Sequence, residues 1–159
     1  MKINYSRLII SLAIPQLAGL LGSVANINSL DIWYESLQKP SFNPPNWIFG
    51  PVWILLFVLM GVALYFIWEK GTWFNTQKIK RAISFFIFQL VLNVIWSFLF
   101  FYFQNPQAAL VEIFILLGVI IWNILIFYRI DKKAGLLLLP YALWVSFACV
   151  LNWIIVILN

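Results

Sequence analysis

The 159-residue chain contains no histidine and a single cysteine, Cys149. An intrachain disulfide is therefore excluded, as is any cysteine-based metal cluster. The usual ligands of zinc, haem iron and non-haem iron are nearly absent, so no metal site is expected. Charge is also scarce. Asp, Glu, Lys and Arg make up 9% of the residues, against about 25% in an ordinary soluble domain. Apolar residues take their place: 64% of the chain is hydrophobic and 19% aromatic, with nine Trp. A soluble fold of this size leaves roughly 30% of its chain surface in water, and this composition cannot supply that surface. A soluble globular enzyme, a disordered chain and a nucleic-acid binder are thereby excluded. The net charge of +5, in so apolar a chain, points to membrane topology before it points to polyanions.

A bilayer core needs about 20 apolar residues per helix. Five runs qualify, at about 8–27, 47–68, 82–103, 108–128 and 136–158. Spanning strands would be about ten residues long with alternating polarity, so the expected fold is an all-α integral membrane domain over residues 1–159, a bundle of five transmembrane helices. With five spans, Lys2, Arg7, Lys70, Lys78, Lys80, Arg81, Arg129, Lys132 and Lys133 share one side, and Lys39 stands on the other. That asymmetry predicts a cytoplasmic N-terminus, with loop 28–46 and the C-terminus outside. The basic Met1–Arg7 segment, the apolar 8–22 run and Ser23-Val24-Ala25 also fit a cleavable signal peptide; a retained first helix is the expectation.

Polar residues inside the spans fall at helical spacing. The first span carries Gln16, Gly19, Ser23 and Asn26; the third carries Gln89, Asn93 and Ser97; the fourth carries Glu112 and Asn123; the fifth carries Trp144, Ala148 and Asn152. Small and amide residues can do no more than pack helices together. Four inward stripes beside an aromatic loop instead predict a shared cavity. Pro15, Pro51 and Pro140 mark bends, each removing a backbone donor. Glu112 is the lone acid well inside a span, and it must lie near the outer mouth, be protonated or be paired. It could exchange a proton or accept a hydrogen bond from a neighbouring helix.

The densest signal is the stretch 33–53, WYESLQKPSFNPPNWIFGPVW. Six aromatic rings alternate with Pro40, Pro44, Pro45 and Pro51, and proline-rich backbone is stiff. Pro44-Pro45 can open the second helix. The loop 28–46 therefore reads as a structured aromatic lid over the outward mouth of the bundle. An interfacial aromatic belt would need neither the prolines nor the single Lys39.

Trp33-Tyr34, Leu37, Lys39-Pro40, Pro44-Pro45, Trp47, Pro51 and Trp53 together resemble the first-loop motif of the translocator protein family, also called tryptophan-rich sensory proteins or peripheral-type benzodiazepine receptors. The likeness continues through Met60-Gly61, Gln89-Leu90, Leu92-Asn93, Trp96, Phe100-Phe101, Pro140-Tyr141, Trp144, Ala148 and Leu151-Asn152, and so covers nearly the whole chain. The resemblance implies five helices around a pocket beneath the first loop. It implies porphyrins such as protoporphyrin IX and isoquinoline carboxamides as ligands, no cofactor, and a homodimer. Positions matching the family's pocket are Ser23, Asn26, Trp53, Asn93, Trp96, Ala148 and Leu151. Trp53 and Trp144 match tryptophans linked to light- and oxygen-dependent breakdown of protoporphyrin, and they are the candidate catalytic residues. Trp33, Tyr34, Trp47, Phe49, Pro51, Phe57, Gln89 and Trp144 join the ligand-contacting candidates, and Lys39 at the rim would meet propionates.

Three departures stand out. Phe42 replaces a frequent Trp, and Ala108 a residue that is aromatic in some members. The animal members' basic residue after a late tyrosine has no counterpart here. The pattern Leu125-x2-Tyr128-x3-Lys132 fits a sterol formula only loosely, so sterol transport is not expected, and a bacterial cell membrane is expected over a mitochondrial one. Three readings follow: a receptor, sensor or transporter of flat hydrophobic ligands; an enzyme that photo-oxidises protoporphyrin to a bilin-like product; and a sterol-binding protein or ligand-free membrane scaffold.

Overall fold

The computed structural model describes residues 3–27, 29–71 and 76–159. Lys2, counted in the charge asymmetry, and Asn28, the first residue of the expected lid, lie outside the described residues. Six helices follow in order: α1 Tyr5–Val24, α2 Asn46–Glu69, α3 Gln77–Ser97, α4 Pro106–Ile130, α5 Lys132–Leu137 and α6 Leu139–Leu158. Wide π-type turns lie at Leu30–Tyr34 and Phe98–Tyr102. Taking α3 with its π turn, and α5 with α6, the helices make five passes long and apolar enough to cross a membrane. No strand occurs among the described residues.

Local chemistry sets the helix ends. The Asn4 side chain accepts from the Arg7 N–H (3.1 Å) at the start of α1, and Asn105 accepts from Ala108 N–H (2.9 Å) at the start of α4. Each satisfies a donor that the first turn leaves free. Pro45 immediately precedes α2, and Pro106 opens α4. The fifth pass begins at Lys132 as the short α5, capped by Asp131, and breaks at Leu138 just before Pro140.

Polar ties fix both ends of the bundle. Arg7 pairs with Glu69 (3.2 Å) and Lys70 with Asp131 (3.1 Å), so the start of α1, the end of α2 and the α4–α5 joint share one end. At the other end Gln38 and Asn159 exchange two hydrogen bonds of 3.0 Å, placing the first loop beside the end of α6.

The core is solid in the half nearest the ion pairs. Ala63 and Ile67 of α2, Ala82 and Phe86 of α3, Ile120 and Phe127 of α4, and Leu138 are fully buried there, and Phe86 stacks on Phe127 at 5.7 Å. Close approach of α1 and α2 rests on Gly61. A Cβ there would lie 2.7 Å from Leu12 Cα and 2.8 Å from the Ser11 carbonyl oxygen, the carbonyl that Pro15 deprives of its helical donor. Small residues permit this packing where lipid supplies no hydrophobic drive between helices. Toward the other end the helices part around an empty space.

Candidate functional site

That space is a cavity of about 520 Å³. Each pass except α4 supplies wall. From α1 and its last turn come Gln16, Gly19, Leu20, Gly22, Ser23 and Asn26; from α2, Asn46, Trp47, Phe49, Gly50, Trp53, Ile54 and Phe57. The third pass contributes Asn93, Trp96, Ser97, Phe100 and Phe101, and α6 contributes Trp144, Ala148, Leu151, Asn152 and Ile155. Tyr34 closes it from the loop. None of these residues is charged.

The aromatic walls are braced by one another. Trp53 stacks on Phe57 (5.4 Å) and meets Tyr141 edge-on (6.2 Å); Trp144 meets Phe49 edge-on (5.9 Å); Trp96 stacks on Phe100 (5.2 Å). Offset and edge-on pairs suit the ring quadrupoles. Amides fix the joints between helices. Asn93 Nδ2 donates to the Tyr141 hydroxyl (3.1 Å) below the cavity. The Trp96 indole N–H donates to Asn152 Oδ1 (3.2 Å), and Asn152 Nδ2 donates to the Pro106 carbonyl (2.9 Å), so α3, α6 and α4 are locked together. Asn26 Oδ1 is a buried acceptor without a partner.

The roof is built on Tyr34, which is 5% exposed. Its ring packs on Phe100 and Phe101 (6.2 and 5.8 Å), and its hydroxyl donates to Asn43 Oδ1 (3.1 Å). Burial raises the Tyr34 phenol pKa, partly offset by the Asn43 hydrogen bond. Lys39 Nζ donates to the Tyr34 carbonyl (2.7 Å) and lies over its ring at 4.7 Å. Ser29 Oγ donates to the Phe101 carbonyl (2.7 Å), tying the start of the loop to the π turn after α3.

Twelve of the residues expected from sequence line this cavity: Ser23, Asn26, Tyr34, Trp47, Phe49, Trp53, Phe57, Asn93, Trp96, Trp144, Ala148 and Leu151. Four do not. Trp33 packs edge-on against Phe100 (5.4 Å), behind the roof. Lys39 is turned to Tyr34, not to the cavity. Pro51 is exposed on the outer face of α2. Gln89 lies one turn beneath Asn93, fully buried, with neither side-chain atom partnered. Glu112 is buried as well, both oxygens unpartnered, and does not line the cavity. Sequence reasoning did not offer Leu20, Gly22, Asn46, Gly50, Ile54, Phe100, Phe101 or Ile155 as site residues. The π turn brings Phe100 and Phe101 to the cavity, and nothing in the sequence marks that turn. Gln16, Gly19, Ser97 and Asn152 stood on the inward stripes without being assigned to the ligand.

The family model of TspO/MBR proteins matches residues 11–158. The chain belongs to the TspO/MBR family. Among its relatives, a protein named tryptophan-rich protein TspO from Archaeoglobus fulgidus is 44% identical over 156 residues, covering 98% of this chain and 99% of that protein. A second of that name, from Chlorobaculum tepidum, is 41% identical, covering 89% and 88%. The translocator protein of Bos taurus is 34% identical over 140 residues, covering 88% and 82%. The likeness therefore includes both the solid and the hollow halves, and this TspO/MBR member is a multi-pass membrane protein.

Proposed function

We propose that the chain is a membrane receptor for porphyrins, protoporphyrin IX foremost, and for related flat hydrophobic ligands including isoquinoline carboxamides, serving tetrapyrrole sensing or transport. One observation carries this reading: an uncharged cavity of about 520 Å³ walled by Trp53, Trp96, Trp144, Phe49 and Phe100. Small-molecule sites are concave, mainly apolar and roughly 300–1,000 Å³, with a few polar groups setting orientation. Here those groups are the amides of Asn26, Asn93 and Asn152, and the ligand's carboxylates would lie toward the roof. Without histidine, a macrocycle would be held by stacking and not by axial ligation. The setting proposed is a bacterial cell membrane, with the ion-paired end cytoplasmic, the roof outside, and the chain paired as a homodimer.

Titrating the detergent-solubilised protein with protoporphyrin IX should quench its Trp fluorescence saturably. Trp96→Ala should weaken that binding about tenfold, since a lost aromatic contact costs roughly 0.5–1.5 kcal/mol beyond its buried area. Unsaturable quenching, or a haem spectrum showing strong axial coordination, would count against the receptor.

A second reading is favoured by the placement of both Trp53 and Trp144 on the cavity wall. A bound, illuminated protoporphyrin would be its own photosensitiser, broken down in the presence of oxygen beside oxidisable indoles. Trp53→Phe and Trp144→Phe should then slow light-driven loss of the porphyrin absorbance while binding persists. Wild-type rates in both variants, or turnover in the dark without oxygen, would remove the catalytic roles.

A further inference from the structure

The cavity wall is of two kinds. Tyr34, Phe57, Asn93 and Leu151 are buried, yet Leu20 is 63% exposed, Ile54 60% and Trp47 74%, and all line the same space. These exposed residues of the wall all belong to α1 and α2, so the partition between cavity and surroundings is thinnest there. On this side α1 contributes Leu20 and Ser23, and α2 contributes Gly50 and Ile54. The thin partition has a firm lower limit. Gln16 Nε2 donates to the Ile54 carbonyl (3.2 Å), and a Cβ at Gly19 would stand 2.4 Å from the Phe57 ring. Farther out, a Cβ at Gly50 would meet nothing within 4 Å.

This thin partition falls within the membrane-crossing lengths of both helices. Gly50 and Ile54 lie about 6 and 12 Å into α2 at 1.5 Å per residue, at the depth where headgroups give way to acyl chains. The water side is different. Above the cavity Tyr34 is held by Asn43, Lys39, Phe100 and Phe101, and Gln38 is tied to Asn159. The roof is thus braced by side-chain contacts from several directions.

We propose that ligands reach the cavity from within the bilayer, through a lateral portal between the outer halves of α1 and α2 bounded by Leu20, Ser23, Gly50 and Ile54, and not through the roof. The proposal rests on the receptor reading of the cavity. It selects flat amphiphiles that dissolve in the membrane and enter edge first, their apolar edge passing Leu20 and Ile54. Their polar edge stays at headgroup level beside Trp47 and Asn46, where an amphipathic indole is at home. Access is then governed by the ligand's concentration in the lipid, not in water.

Stopped-flow quenching of Trp fluorescence by protoporphyrin IX, with the protein in phosphatidylcholine nanodiscs, tests this. The association rate should follow the mole fraction of porphyrin in the bilayer, whether it is supplied from lipid or from water. Gly50→Leu fills open space, so the fold should survive with unchanged circular dichroism. It should slow association by roughly tenfold, whatever it does to the equilibrium affinity as a residue of the cavity wall. Ser23→Phe, which loses only a hydrogen bond to its own helix at Leu20, should also slow association. Asn43→Ala releases the Tyr34 hydroxyl in the roof and should leave the association rate unchanged. Wild-type association in Gly50→Leu and Ser23→Phe, with faster association in Asn43→Ala, would overturn the portal while leaving the receptor intact. Absence of saturable quenching in the wild-type protein would remove both.

Discussion

Asn152 makes its contribution through two bonds at once, accepting from the Trp96 indole and donating to the Pro106 carbonyl. Replacing it with Leu keeps the branching at Cγ but leaves the Trp96 indole N–H without its partner, a loss of about 1–3 kcal/mol for a buried donor, and removes the tie to α4, whose Pro106 carbonyl keeps its own helical donor. Asn152→Leu should therefore lower the melting temperature in detergent, and it should weaken porphyrin binding because Trp96 loses its anchor. Gly61 is constrained differently. Any side chain there meets backbone atoms of α1, which cannot rotate away. Gly61→Ala should destabilise the α1–α2 pair by about 1–3 kcal/mol despite its better helix propensity, measurable by the same melt. The inward direction of Asn93 and Asn152 could be read from spacing alone. That Asn93 borders the cavity while Gln89 is sealed beneath it could not, because residues four apart share a helix face and differ only in depth.

Helix ends were legible only to within a few residues: the runs expected from about 8, 82 and 136 begin at Tyr5, Gln77 and Lys132. Asn105 followed by Pro106 is an N-terminal signature, and Asn105→Ala should cost about 1 kcal/mol, read as a lower denaturation midpoint. Proline near position 140 announced a disturbance in the fifth pass, but the helix breaks two residues earlier and resumes as α6. The π turn at Phe98–Tyr102 carries no proline or glycine. It is held by Phe103 N–H donating to the Phe98 carbonyl and by Ser29 capturing the Phe101 carbonyl. Since Ser29 lies some 70 positions away in the chain, no local pattern could report the turn, and with it went Phe100 and Phe101 as site residues.

Across the whole molecule, the ion pairs at one end and the loop at the other hold five passes in register. Asp131 joins α4, α5 and, through Lys70, the end of α2. Its partial burial disfavours the charge, but hydrogen bonds from Lys70 and from the Ala134 and Lys133 N–H groups outweigh that and lower its pKa. A carboxyl whose pKa falls on folding stabilises the fold above its unfolded value, about 3.9, and loses that contribution as pH drops through the lowered value. Thermal stability should thus decline on acidification below about pH 4, and Asp131→Asn should show a smaller decline over the same window. An equal decline in the variant would assign the effect to other carboxyls.

The order of apolar runs, the side on which Lys and Arg collect, and the helical phase of the polar residues determined a five-pass helical membrane protein, because each depends on composition and short-range spacing. The aromatic and proline pattern of residues 33–53 marked the roof for the same reason. Tertiary structure alone decided that one half of the bundle is filled and the other hollow, and that Lys39 braces Tyr34. Those features depend on how far apart two helix surfaces stand, and that distance is set by contacts such as Gly61 on Ser11 and Gly19 on Phe57 between residues remote in the chain.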